Sequence, residues 1–361
     1  MRRRWRWRAQ SMADDAWPAT GPGFSMRVIA WQRVNGRHDL PWQQTCDPYR
    51  IWLSEIMLQQ TQVPTVIPYY TRFLARFPTL AALAEASLES VLELWSGLGY
   101  YARARNLHRC AQTLVAERAG QFSADPGETA ALPGIGRSTA AAISVFAFGR
   151  RAAVLDGNVK RVLARCFGVA RGAAQDERAL WALAEMLLPE NDIEAYTQGM
   201  MDLGATVCRR HQPACDVCPL QAACVACRQG RQAELPRPAP RKVLPERLSS
   251  VLLLSDGCRV FVERRPPSGL WGGLLSLPEA PSESAASFAR RQGCRLLGTQ
   301  ALSPMTHVFT HFRLTLQVLR CDVEVISLQA REHGCEWLSL DDVAGAALPT
   351  PIKKLLLSLG R

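Results

Sequence analysis

Four cysteines stand close together in this chain. Cys208, Cys215, Cys218 and Cys224 follow the spacing C-x6-C-x2-C-x5-C in CRRHQPACDVCPLQAAC. Four thiolates so near one another can close around one metal centre, and soft sulfur suits either zinc or an iron–sulfur cluster. Arg209, Arg210 and His211, inside the first loop, suit a phosphate contact. Two carboxylates also stand out. Glu55 in IWLSEIMLQQTQV has apolar neighbours, Ile51, Trp52, Ile56 and Leu58. Desolvation there raises a carboxyl pKa and makes a proton donor near neutrality. Asp156 in VLDGNVKRVLAR precedes a helix, with Asn158 near the helix start. Aspartate caps helices well, and the helix dipole favours its ionised form. Lys160 and Arg161, one turn on, can face phosphates.

A third pattern is ALPGIGRSTAAAI, residues 130–142. Gly134 and Gly136 permit a tight turn, and Ile135 between them can anchor it in the core. A helix beginning near Arg137 or Ser138 presents free N–H groups and a positive dipole end, which makes an anion site. On a long polymer that anion is a phosphate. Gln59 and Gln60 follow Glu55 by one turn as uncharged hydrogen-bonding wedges. SGLGYYARARN sets Tyr100 and Tyr101 beside Arg103 and Arg105, a mixture of aromatics and cations suited to bases and phosphates.

These residues need elements to hold them. The chain has 361 residues, enough for two or three domains. Residues 26–228 read as helical, because YRIWLSEIMLQQT, TRFLARF, TLAALAEASLESVLELWSG, ARARNLHRCAQTLVAER, STAAAISVFAFG, NVKRVLARCFG and ERALWALAEMLLPE repeat apolar residues every three or four positions. Pro64 is expected to kink or end the first of these. Residues 229–248 are proline-spaced and charged, as in an extended linker. Beyond them SSVLLLSD, CRVFVERR and FRLTLQVLRCDVEVISL read as strands, with short helices at ESAASFARRQG and PIKKLLLSLG.

The net charge of +11 points only weakly to nucleic acid. Residues 1–25 and 229–248 each carry +3, so more than half of it lies in a tail and a linker. No apolar run is long enough to span a membrane, and no signal peptide is visible, so a soluble cytoplasmic protein is expected. Twelve cysteines in that setting argue against a disulfide framework. The eight outside the tight pattern, Cys46, Cys110, Cys166, Cys227, Cys258, Cys294, Cys321 and Cys335, are expected as small buried hydrophobes.

Taken in this order, the motifs of residues 26–228 resemble the helix-hairpin-helix DNA glycosylases with a C-terminal iron–sulfur loop, and within them the adenine DNA glycosylases of the MutY type. The resemblance implies an all-α glycosylase domain whose four cysteines hold a [4Fe–4S] cluster. It implies Glu55 as catalytic acid, Asp156 as catalytic aspartate facing an electron-deficient sugar, Asn158 as its support, and Tyr100 as a wedge entering the duplex. Gly134, Gly136, Gln59, Gln60, Arg103 and Lys160 would touch DNA. The sister family resembling endonuclease III has lysine where this chain has Ser138. That lysine attacks the sugar to form a Schiff base, and a hydroxyl cannot. Hydrolysis without strand cleavage is therefore expected. RRPPSGLWGGLLSLPE, Arg264 to Glu279, resembles the start of a Nudix-type α+β domain, yet ESAASFARRQGCRL lacks the acidic metal box of the hydrolases. A recognition role for residues 249–361 follows, with Phe309, Thr310 and His311 standing for the family's FSH loop that reads 8-oxoguanine.

The expected protein is a monomer acting on double-stranded DNA with adenine opposite 8-oxoguanine or guanine. Residues 1–25 match nothing in the family and are expected as a disordered basic extension. The rival readings are a bifunctional glycosylase/lyase, a nucleotide pyrophosphohydrolase and an inactive DNA-binding protein.

Overall fold

A computed structural model describes residues 23–170, 173–237, 243–267, 269–279, 284–327 and 334–359. The basic extension lies, up to residue 22, outside the described residues. Helices run in chain order as α1 (Phe24–Asn35), α2 (Pro48–Leu58), α3 (Val63–Arg76), α4 (Leu80–Glu85), α5 (Leu88–Trp95), α6 (Ala102–Arg118), α7 (Pro126–Ala130), α8 (Arg137–Phe148), α9 (Gly157–Cys166), α10 (Ala173–Met186) and α11 (Ile193–Asp202). A π-helical turn, Leu203–Val207, follows, then two 3-10 turns and α12 (Val225–Arg228). The strands are β1 (Glu246–Ser255), β2 (Arg259–Arg264), β3 (Leu275–Ser276), β4 (Cys294–Ala301), β5 (Met305–Val308), β6 (Arg313–Val325) and β7 (Cys335–Ser339). Helices α13 (Ala285–Arg291) and α14 (Thr350–Leu359) complete the chain. This is the expected class, helical first and α+β after. None of the described helices is long and apolar enough to cross a membrane.

Two compact units emerge. Among the described residues, the first gathers those up to 71, 79–81 and those from 109 to 237; the second gathers 72–78, 82–108 and those from 243 onward. The helical stretch 82–108 thus packs with the sheet, a grouping no local pattern announces.

In the first unit α2 starts at Asp47, whose carboxylate accepts from the Tyr49 N–H at 2.9 Å, with Pro48 in the first turn. Tyr49, Ile51, Trp52, Leu53, Ile56 and Met57 are buried, so the helix is enclosed on most sides and Glu55 is its one carboxylate. The helix ends before Pro64, which sits instead in the first turn of α3, where its missing N–H costs nothing. Helix α8 presents Ala140, Ala141 and Ala142, all buried, and these small residues let α2 pack closely against it. In α9, Val159, Val162, Leu163 and Cys166 make the apolar stripe. Helices α1 and α11, inside the stretch read as helical but not singled out in it, pack together where Gly199 leaves no room for a side chain: a Cβ there would lie 2.8 Å from Val28 Cγ1.

The segment read as a linker is partly built in. Leu235 is buried in the core of the first unit, and its carbonyl accepts from Arg165 Nε at 2.8 Å, so residues 229–237 fold back rather than extend. Residues 238–242 lie outside the described ones.

In the second unit the strands form one sheet, ordered β3-β2-β1-β6-β4, with β5 also on β6 and β7 on β2. β1 and β6 run parallel; the other pairs are antiparallel. The inner half of β1, VLLLS, is buried throughout, because α13 covers one face through Phe288 and α14 the other through Ile352 and Leu356.

Candidate active site

Glu55 and Asp156 face one cleft of about 1260 Å³ in the first unit, with Gln60, Asn158 and Gly157 also in its wall. Glu55 is half-buried, and burial first, then the nearby charge of Asp156, pushes its pKa up from 4.5 to about 8. Nothing opposes that rise. Asp156 differs. It caps α9 as expected: Oδ1 accepts the Val159 N–H at 2.7 Å and Oδ2 accepts from Asn158 Nδ2 at 3.3 Å. Burial still lifts its pKa above the ordinary carboxylate value, so the cap does not prevail outright, but these bonds and the Arg161 charge oppose the rise. A shared proton therefore favours Glu55, and the charge favours Asp156. Two carboxyl groups with opposed surroundings are the arrangement that pairs an acid with an anion.

Asp156 is held by a relay. Arg161, expected to face phosphate, is turned inward: Nη2 donates to Asn158 Oδ1 at 2.8 Å and to the Gly204 carbonyl at 2.6 Å, and Nε to the Cys208 carbonyl at 2.7 Å. Gly204 is what lets the π-helical turn come so near, since a Cβ there would lie 2.5 Å from Asn158 Cβ. Sequence reasoning passed over both Gly204 and this use of Arg161. The only local signal was a glycine between apolar residues in MMDLGATV. Buried Asp202, also passed over, pairs with Arg37 at 2.6 Å and takes a further bond from Gln198 at 2.9 Å. Arg37, Arg209 and Arg210 line the cleft as well, so the cations of the cysteine loop do reach its wall.

Ser138 does more than lack an amine. Its Oγ accepts the backbone N–H of Leu155 at 3.1 Å, one residue before Asp156, and so ties the hairpin helix to the segment that carries the aspartate. In the hairpin, Gly134 takes the left-handed conformation (φ 75°), Ile135 is buried, and Gly136 caps the start of α8. A Cβ on Gly136 would meet open space and no backbone strain. Gln59 donates to Thr139 Oγ1 at 3.5 Å, whereas Gln60 is exposed. Lys160 is paired with Glu177 at 2.6 Å.

Cys208, Cys215, Cys218 and Cys224 line one small cavity walled by Val162, Leu203 and Leu220. Among the described residues no three His, Cys, Asp or Glu side chains converge to hold a single ion. The donor set fits a sulfur-bound group: four soft thiols, apolar walls, and Arg165 Nη1 donating to Cys208 Sγ at 3.3 Å. Cys227 and Cys166 share the same wall. Of the other cysteines, Cys110, Cys294 and Cys321 are buried as expected, Cys335 is partly so, and Cys46 and Cys258 are exposed because they lie on loops.

In the second unit Tyr100 is 45% exposed on the loop between α5 and α6, with Arg103 stacked 5.5 Å from its ring centre. Burial pulls the Arg103 pKa down to about 10, and its guanidinium donates to the Gly99 carbonyl at 3.2 Å. Phe309, Thr310 and His311 form the tight turn between β5 and β6, closed by Phe309 N–H donating to the Phe312 carbonyl at 2.9 Å. Phe309 stacks on Phe312 at 4.5 Å, while Thr310 and His311 are exposed. Helix α13, where a Nudix hydrolase would carry its acids, offers Arg290 and Arg291 among its described residues.

Residues 53–186 match the HhH-GPD superfamily of base excision DNA repair proteins, and residues 250–358 match the NUDIX domain. An adenine DNA glycosylase of Buchnera aphidicola (subsp. Baizongia pistaciae) is 34% identical over 335 residues, covering 92% of this chain and 95% of the relative. The Homo sapiens adenine DNA glycosylase is 33% identical over 400 residues, covering 92% of this chain and 73% of the relative. Among solved structures, a thermostable thymine-DNA glycosylase superposes with a TM-score of 0.52 at 29% identity, covering 57% of this chain and 95% of that one.

Proposed function

Because this chain belongs to the adenine DNA glycosylases, we propose that it removes adenine mispaired with 8-oxoguanine, and adenine opposite guanine more slowly, and leaves an abasic site. It is a base-excision-repair glycosylase, a hydrolase of N-glycosyl bonds, and its partner is duplex DNA. The glycosidic bond is inaccessible inside the stack, so the adenine must swing out into the cleft. Glu55, held protonated by its surroundings, donates to ring nitrogen 7 and makes adenine a better leaving group. The sugar becomes cationic, and Asp156 stabilises it or bonds to it transiently before water completes the hydrolysis. Asn158 and Arg161 steady that carboxylate.

The observation that carries this reading is the pairing, in one cleft, of a carboxyl pushed up to about 8 with a second carboxyl held by hydrogen bonds. Cys208, Cys215, Cys218 and Cys224 would hold a [4Fe–4S] cluster. Bound there, the cluster supplies the cross-link that closes the loop carrying Arg209 and Arg210. Gly134 and Gly136 would grip a phosphate, with Gln59, Gln60 and Lys160 at the DNA surface and Tyr100 as the wedge backed by Arg103. The turn Phe309–His311 would read 8-oxoguanine. In this division residues 26–228 do the chemistry and residues 249–361 read the opposite base.

Single-turnover reaction with a duplex containing one adenine opposite 8-oxoguanine tests it. The expected product is an intact abasic strand that breaks only after alkali. Strand scission without alkali, together with a borohydride-trapped adduct, would establish a lyase instead.

A further inference from the structure

We propose that the C-terminal part of the chain positions the duplex wedge: the Ala346–Leu348 turn and Lys353 latch the Ser96–Tyr101 loop, and with it Tyr100. The proposal rests on the reading of Tyr100 as that wedge.

The loop is not in a relaxed conformation of its own. Gly97 (φ 96°), Gly99 (φ 79°) and Tyr100 (φ 49°) all take left-handed backbone. For a tyrosine this backbone is unfavourable, so neighbouring structure must impose it. The neighbours come from the far end of the sequence. Ser96 Oγ donates to the Ala346 carbonyl at 3.2 Å, and Lys353 Nζ reaches both Ser96 Oγ at 3.1 Å and the same carbonyl at 3.2 Å. The Tyr101 hydroxyl donates to the Leu348 carbonyl at 3.3 Å and accepts the Gly97 N–H at 3.2 Å. Just past the loop, Arg105 Nη1 donates to the Gly272 carbonyl at 2.9 Å. Tyr101 and Leu348 are buried, which strengthens these bonds and makes each one costly to break. Tyr100, between these anchors, stays exposed.

Both sides of Tyr100 are therefore tied to carbonyls of the sheet unit, the unit that also carries the Phe309–His311 turn. Loop and sheet are one body, so placing the turn against the opposite base also places the wedge.

Tyr101→Phe removes one oxygen and leaves the ring; Lys353→Met removes the ammonium and leaves the stem. Each should speed amide hydrogen exchange at Gly97–Tyr101 by about tenfold, the factor for a lost buried bond. Each should slow single-turnover adenine excision by about as much, with duplex affinity unchanged. Lys353→Arg should restore most of the rate. Tyr100→Ala combined with Tyr101→Phe should be no slower than Tyr100→Ala alone, because the latch acts only through Tyr100. Unchanged exchange in both latch variants, or losses that multiply in the double variant, would overturn the latch. A Tyr100→Ala protein that excises as fast as its parent would overturn the wedge assignment instead.

Discussion

Replacing Glu55 by Gln should kill the enzyme and stabilise the protein, and the second effect should depend on pH. The folded protein holds the Glu55 proton to about pH 8, whereas an unfolded chain releases it near 4.5. Below 4.5 the group is protonated in both states and adds nothing. Between the two values the folded state binds more protons, so stability falls as pH rises, and above about 8 the loss is complete. The whole shift corresponds to a ceiling of about 5 kcal/mol. Water in the cleft screens a half-buried group, and roughly half of that ceiling is a fair expectation at pH 8.5. At pH 5.5 the same reasoning leaves less than about 1 kcal/mol. Glutamine keeps the shape and carries no charge, so it escapes the penalty at every pH. The variant should thus unfold at a higher temperature than the parent, by a margin that widens from pH 5.5 to 8.5. Excision should drop roughly a hundred- to ten-thousand-fold, the range of general acid catalysis, with binding to the mismatch preserved. Parent activity should fall as pH rises through about 8. Thermal unfolding of both proteins at the two pH values, with single-turnover excision beside it, decides the matter. A margin that does not grow with pH would show that Glu55 is not desolvated in the folded protein.

Four further outcomes follow from the geometry. Ser138→Lys should gain β-lyase activity and a borohydride-trapped DNA adduct, and should lose some hydrolysis because Leu155 N–H loses its acceptor; no adduct at all would count against the assignment of that position. Gly136→Ala should fold normally, since its Cβ meets open space, yet lose DNA affinity on every sequence; equal affinity in filter binding would remove the phosphate role. Cys224→Ser should lower the iron content of the purified protein and bleach a yellow-brown colour, whereas a fully active, colourless protein with one zinc would exclude the cluster. Thr310→Ala should weaken the preference for 8-oxoguanine over guanine while leaving excision opposite guanine intact, measured as the ratio of the two rates.

What the sequence made legible was local. An acid among apolar neighbours, a capping aspartate, a glycine-paired turn and clustered thiols all express their physics within a few positions, and the structure brings Glu55, Asp156 and Asn158 to one cleft wall. Within the stretch read as helical, α11 is not singled out because Gly199 and Thr197 interrupt its apolar stripe, although both are buried. Strands β4, β5 and β7 escaped notice because they are half-exposed, so their apolar residues do not run together. Arg161 looked like a surface cation; only the approach of Gly204 turns it inward. The Ser96–Ala346 contact joins positions 250 apart and has no local signature at all.

The Ser138–Leu155 bond also bears on how the two enzyme chemistries could interconvert by descent. No single nucleotide change turns a serine codon into a lysine codon. The shortest routes pass through asparagine or arginine from AGC-type codons, or through threonine from TCA-type codons, and threonine keeps a hydroxyl acceptor. Asparagine keeps an acceptor for the Leu155 N–H but brings no nucleophile; arginine brings neither an acceptor nor a free amine. A lineage leaving serine therefore crosses an intermediate that gains no new reaction, and the arginine route also loosens the segment before Asp156. That asymmetry makes the serine a trap in sequence space, easy to keep and slow to exchange.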